Sequence, residues 1–148
     1  MFVRHSAWLN TVPRSDIDPT KKRTEPYKTP TRTRLEQLQA DGGKWRMPPV
    51  ERGDYLLDYL WEVGPCGSER SVITWHELTA WQAGLGIELK PWELRTLRGL
   101  SRDYVNQLYS SEKVDCPPPY GRGRVINREA VAKKVAFNLS ALAHSKGK

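Results

Sequence analysis

Between Met47-Pro48-Pro49 and Pro117-Pro118-Pro119, apolar side chains recur at steps of three and four residues in three runs, and each run carries its own start or stop signal. Proline clusters at both ends impose extended backbone, so the three runs read as short helices confined to the middle of the chain. Tyr55, Leu56, Tyr59, Leu60 and Val63 make the first stripe, widened by Leu57 and Trp61 and stopped by Gly64-Pro65. This predicts a helix over 51–63, followed by a loop from Cys66 to Ser71. Thr74-Trp75-His76-Glu77 is a capping box, in which the threonine oxygen accepts from the backbone N–H of Glu77 and the carboxylate reaches back to the N–H of Thr74. Trp75, Leu78 and Trp81 or Gln82 continue it as a short apolar face until Gly84-x-Gly86, which predicts a second helix over 75–83. Lys90-Pro91-Trp92-Glu93 opens the third. Proline suits the first helical position, and Glu93 favours the positive end of the helix dipole. Leu94, Leu97, Ser101, Tyr104, Val105 and Leu108 carry that helix to about 109, with Gly99 weakening it slightly.

The flanks differ in charge. Residues 1–45 hold 9 basic and 5 acidic groups, 46–116 hold 8 and 11, and 117–148 hold 7 and 1, so a slightly acidic centre lies between two basic ends in a chain of 148 residues and net charge +7. That length suits one domain of ordinary size. Residues 1–45 read as a basic Pro/Thr-rich N-terminal arm, because Pro13, Pro19, Pro26 and Pro30 alternate with Arg14, Lys21, Lys22, Arg23, Lys28, Arg32 and Arg34 and leave little apolar surface to offset the entropy of ordering. Leu35 and Leu38 allow one or two helical turns before Asp41-Gly42-Gly43, and Met1–Leu9 reads as a short docking anchor. Residues 46–116 are the helical core domain. Residues 117–148 are a Pro-rich linker and a basic helix, with Asn127 as N-cap of a helix over 128–143 lined by Val131, Val135, Leu139 and Leu142. No strand-like alternation and no internal repeat is present. The expected fold is all-α: a compact three-helix core, a basic and largely extended N-terminal arm, and a fourth amphipathic helix at the C-terminus. No stretch is long and apolar enough for a membrane span and no secretory h-region precedes residue 30, so the expectation is a soluble chain.

Chemistry that needs converging reactive groups finds little support. Cys66 and Cys116 flank glycine or proline in loops and read as two reduced thiols, and with His5, His76 and His144 scattered singly the paired spacing of a zinc site is missing. Asp54 and Asp58, one turn apart, read as a polar stripe opposite Tyr55 and Tyr59 rather than an acid–base pair. His76 lies within the capping box, and Cys66 has no basic neighbour in sequence to activate it. Phosphate-loop, dinucleotide and nucleophile-elbow motifs are all lacking. The chain is expected to be neither an enzyme nor a holder of a metal or cofactor.

Two binding classes are left. The second and third helices superficially resemble a helix-turn-helix, and Arg95, Arg98 and Arg102, at steps of three and four, would face a duplex. Against this, the core segment is net negative and the bulky Trp92 leads the supposed recognition helix, so nucleic acid is the weaker reading. The tryptophans favour a polypeptide partner. Trp61, Trp75, Trp81 and Trp92 fall within 32 residues, more indole than a small three-helix core readily encloses. The plain reading makes two or three of them core. The sharper reading makes Trp75, Trp81 and Trp92 a surface that accepts a helix, with Tyr59 and Trp61 beside them and Arg95, Arg98 and Arg102 as a rim.

The run Tyr55-Leu56-Leu57-x-x-Leu60-Trp61-Glu62-Val63-Gly64, then Ile73-Thr74-Trp75-His76-Glu77-Leu78-x-x-Trp81-Gln82, Gly86-Ile87-Glu88-Leu89-x-Pro91-Trp92-Glu93 and Leu97-x-x-Leu100-Ser101-x-x-Tyr104 resembles the small tail assembly chaperones of tailed bacteriophages, or the downstream domain of one. The likeness covers about 55–110 and consists of structural helix signatures. It implies a non-enzymatic helical protein acting in the host cytoplasm, which binds the tape-measure protein, keeps its long helices soluble and helps recruit tail tube subunits. A tail completion or adaptor component retained in the virion would use the same surface, as would self-association. This chain departs from the family's better-known arrangement by lacking an evident upstream chaperone domain and by carrying its own basic, proline-rich first 45 residues.

Overall fold

The computed structural model describes residues 1–14 and 32–121. They form five helices: α1 (Phe2–Asn10), α2 (Arg34–Ala40), α3 (Asp54–Val63), α4 (Trp75–Leu85) and α5 (Pro91–Ser111), with a 3-10 turn at Ser68–Arg70. There is no strand among the described residues; a lone bridge joins Arg14 to Lys113. The fold is all-α, as the periodicity predicts, and none of the described helices is long and apolar enough to cross a membrane. Most of the basic stretch expected to be extended (15–31) and the helix expected over 128–143 lie outside the described residues.

The punctuation signals set the boundaries with small displacements. α3 begins at Asp54, three residues later than the stripe suggests, because Gly53 takes a left-handed conformation (φ 78°) that the preceding residues do not continue. At the start of α4 the amide of Glu77 donates to Thr74 Oγ1 at 3.2 Å and the amide of Thr74 donates to Glu77 Oε2 at 2.7 Å, which satisfies two of the donors that a helix start leaves free. Its end is two residues beyond expectation, since Gly84 stays helical and Gly86 (φ 66°) makes the left-handed turn. α5 starts at Pro91, where the amide of Lys90 donates to Glu93 Oε2 at 2.6 Å. A second capping box, Thr33 with Glu36, starts α2, which Asp41 and Gly42 close where the sequence reading puts the stop.

α5 is the spine of the molecule and buries seven of its 21 residues, from Leu97 to Ser111. The core joins Val3 and Ala7 of α1, Leu56 and Leu60 of α3, Ile73, Leu78 of α4, and Leu97, Tyr104 and Leu108 of α5. The contribution of α1 exceeds the docking anchor expected of Met1–Leu9. Val3 and Ala7, one turn apart, face the core, while His5 and Leu9 lie about 200° round the helix and are buried as well. α1 is therefore enclosed on two sides, and the core has four helical contributors in place of three.

What encloses its second side is the segment around the end of α5. Trp8 Nε1 donates to the carbonyl of Cys116 at 2.9 Å, and the amide of Arg14 donates to the carbonyl of Glu112 at 2.7 Å. Arg34, the first residue of α2, is buried; its guanidinium donates to the carbonyls of Ser111 and Lys113 and lies 5.0 Å from the Trp8 ring. The last carbonyls of a helix have no partner within it, and here a buried cation caps that of Ser111 and reaches on to Lys113, two residues beyond the helix end. Gln107 completes the arrangement by accepting from Arg4 Nε at 3.2 Å and donating to Ser111 Oγ at 3.0 Å.

Candidate functional site

The other end of α5 is built differently. Only one residue of α4, Leu78, is buried, so an eleven-residue helix is held to the molecule by a narrow strip. Its entry is fixed by a buried hydrogen bond: the amide of Ile73 donates to Ser101 Oγ at 3.0 Å. Trp75 and Trp81 lie on either side of Leu78, each about 60° round the helix from it. Trp81 is half-buried against the core and meets Tyr59 edge-on with ring centroids 5.5 Å apart; Tyr59 in turn meets Tyr55 at 5.8 Å. The Tyr55 hydroxyl donates to Glu93 Oε1 at 2.7 Å, linking α3 to the first turn of α5. That bond holds the Glu93 carboxyl below its ordinary value and pushes the Tyr55 phenol up to about 12, which suits a structural tie between exposed groups rather than proton transfer at neutral pH.

Trp75 is 48% exposed, and the Arg98 guanidinium lies 5.0 Å from its ring centroid, a cation–π contact that joins α4 to α5. Trp92 is 51% exposed and Leu85 48% exposed. Arg95 and Arg102 are exposed, and Arg98 is half-buried beside Trp75. At 100° per residue the three arginines fall within about 60° of arc on α5, with Trp92 one turn before Arg95. Trp81 Nε1, Gln82 Oε1 and Arg98 Nε are enclosed and have no hydrogen-bond partner among the described residues.

The eight residues that the sequence reading gathers into one surface thus occupy three groups: Tyr59 with Trp81, packed on the core; Trp75 with Arg98, beside exposed Arg95, Arg102 and Trp92; and Trp61, which is 37% exposed and meets Tyr104 edge-on at 5.8 Å. Trp61 follows the buried Leu60 by one position, which turns its ring away from Tyr59 and toward the middle of α5. Burial pushes the Tyr104 phenol up. No group of three His, Cys, Asp or Glu residues that could hold a metal ion is found among the described residues, and Cys66 and Cys116 are free, half-buried thiols.

One constellation has no counterpart in the sequence reading. His5 is 4% exposed, stacks on Trp8 with ring centroids 5.9 Å apart and meets Tyr120 edge-on at 5.9 Å, and neither of its ring nitrogens has a hydrogen-bond partner among the described residues. Burial lowers its pKa and also that of the nearby Arg34. The only signal available in sequence was the apolar spacing of Val3 and Ala7; nothing local marks His5 as enclosed. No protein-family model matches this chain, and no curated protein or solved structure matches it either.

Proposed function

We propose that the chain is a non-catalytic helical adaptor that takes up an amphipathic helix of another polypeptide on its α4 face, as the tail assembly chaperones that its helix signatures resemble take up the tape-measure protein. The observation that carries this reading is the half-exposed pair Trp75 and Trp92 beside a core that closes without them. Two half-exposed indoles offer on the order of 200 Å² of apolar surface, or roughly 5 kcal/mol of gross burial at about 25 cal/mol per Å². Association alone costs about that much or more, so the partner must also engage Leu85 and the arginine rim. On this reading the partners are the tape-measure protein and, through it, tail tube subunits, met in the host cytoplasm during assembly.

Co-expression of the full chain with the tape-measure protein of the same phage tests the reading. Co-purification is expected, and the double variant Trp75→Ala/Trp92→Ala is expected to lose it while folding normally. Mass spectrometry of purified virions then distinguishes a transient chaperone, absent from particles, from a tail completion component present at fixed stoichiometry. Duplex DNA binding that weakens steeply with salt would instead support the nucleic-acid reading.

A further inference from the structure

Of the ten arginines among the described residues, Arg32, Arg46 and Arg52 are exposed in non-helical segments and reach no acceptor, and the other seven fall into two kinds. Arg4, Arg14, Arg34 and Arg70 each reach an oxygen acceptor: Gln107 Oε1, Glu112, the carbonyls of Ser111 and Lys113, and Glu112 again at 2.7 Å. Arg95, Arg98 and Arg102 reach none, and no carboxylate lies within 4 Å of them among the described residues. The acidic groups near them are committed or misplaced. Glu93 accepts from Tyr55 and from the amide of Lys90, and Glu77 is held by Thr74. Asp103 is about 100° round α5 from Arg102. Arg98 is also positioned in advance, because the Trp75 ring covers its guanidinium from one side. Three cations at steps of three and four, bordered by Trp75 and Trp92, make a positive stripe with an apolar border.

We infer that this stripe recognises an amphipathic helix whose apolar seam lies on Trp75 and Trp92 and whose flank carries carboxylates at matching steps of three and four. Charge complementarity assigns the acidic flank: guanidinium forks match carboxylates bidentately, and an unneutralised row steers acidic partners while repelling basic ones. A lysine-flanked helix would meet like charge along the whole contact. The inference deepens the proposed adaptor function and rests on it, adding the sign of the partner's charge and the residues that read it.

The test uses the full-length chain and three synthetic helical peptides sharing one leucine seam, with the flanking positions as Glu, Gln or Lys, followed by fluorescence anisotropy at two salt concentrations. The Glu peptide is expected to bind roughly tenfold more tightly than the Gln peptide, a ratio that shrinks as salt rises, with the Lys peptide weakest. The variant Arg95→Glu/Arg102→Glu alters two exposed positions and should melt like the parent; it is expected to invert the order and prefer the Lys peptide. Equal binding of Glu and Gln peptides would overturn the charge inference and leave the docking face intact. Binding of none of the three would remove both. Displacement of the Glu peptide by a single- or double-stranded oligonucleotide of equal charge would overturn the inference in favour of a phosphate partner.

Discussion

The two ends of α5 solve opposite problems with similar residues. Around Gln107–Ser111 a buried histidine and a buried arginine meet a half-buried tryptophan: Trp8 donates to Cys116, His5 stacks on Trp8, and Arg34 donates to the carbonyls of Ser111 and Lys113. Around Trp92–Arg98 a tryptophan and an arginine also meet, yet Trp75 is half-exposed, Arg98 lacks an acceptor, and α4 contributes one buried residue. Indole and guanidinium thus close one end, while at the other the indole is half-exposed and the guanidinium Nε has no acceptor among the described residues, which the proposed function reads as the partner's contacts. What separates them is backbone: the end of α5 and the segment after it bring carbonyls to Trp8 of α1 and Arg34 of α2, and among the described residues none reaches the second pair.

The largest effect should come from breaking the closed end. Arg34→Ala strips two carbonyls of a buried charged donor and removes the contact with Trp8, and it is expected to cost about 3 kcal/mol in urea unfolding. A loss as small as that of Arg95→Ala, expected to stay below about 0.5 kcal/mol, would erase the distinction between the ends. Ser101→Ala probes the one buried tie of the open end: it leaves the Ile73 amide unpaired, and a loss of about 2 kcal/mol is expected, with α4 fraying first.

Acid should act on the closed end. Burial lowers the His5 pKa below 6.5, so between that value and its folded pKa the unfolded chain binds a proton that the folded chain does not. Stability from this residue is therefore complete above pH 6.5 and falls as pH drops below it, by about 1 kcal/mol per pH unit until the folded pKa is reached. The variant His5→Leu should flatten that limb in unfolding curves taken between pH 7 and pH 5; an unchanged limb would place the acid sensitivity elsewhere. A small, favourable change is expected at the open end. A Cβ at Gly99 would meet nothing nearer than an Arg102 Nη atom at 4.0 Å, so Gly99→Ala should stabilise α5 by roughly 0.5–1 kcal/mol without altering the partner face.

The legibility of the sequence follows the same division. Thr74 with Glu77, Pro91 and Gly86 announce their helix ends because capping is local chemistry, and the stripes of α3 and α5 announce a buried face because burial there is one-sided. α1 does not announce itself. It is buried on two sides, so Val3, His5, Ala7 and Leu9 show no single stripe, and a histidine and an alanine carry little apolar weight. Arg34 reads as one more charge in a basic stretch until its partners, nearly eighty residues away, are known. At the candidate site the excess of indole was visible, but its distribution was not. Trp81 turns to Tyr59 and the core, and Trp61 turns to Tyr104, because each ring direction depends on helix packing that no local pattern encodes.

The central claim, that α4 is a thinly anchored face left open for another helix, is tested most directly by amide hydrogen exchange of the full chain alone and with the tape-measure protein. The account predicts fast exchange along Trp75–Leu85 in the free chain against slow exchange over Tyr104–Ser111, and strong added protection of α4 and the first turns of α5 on binding. Protection of α4 in the free chain equal to that of the end of α5, or protection gained on binding only elsewhere, would contradict it.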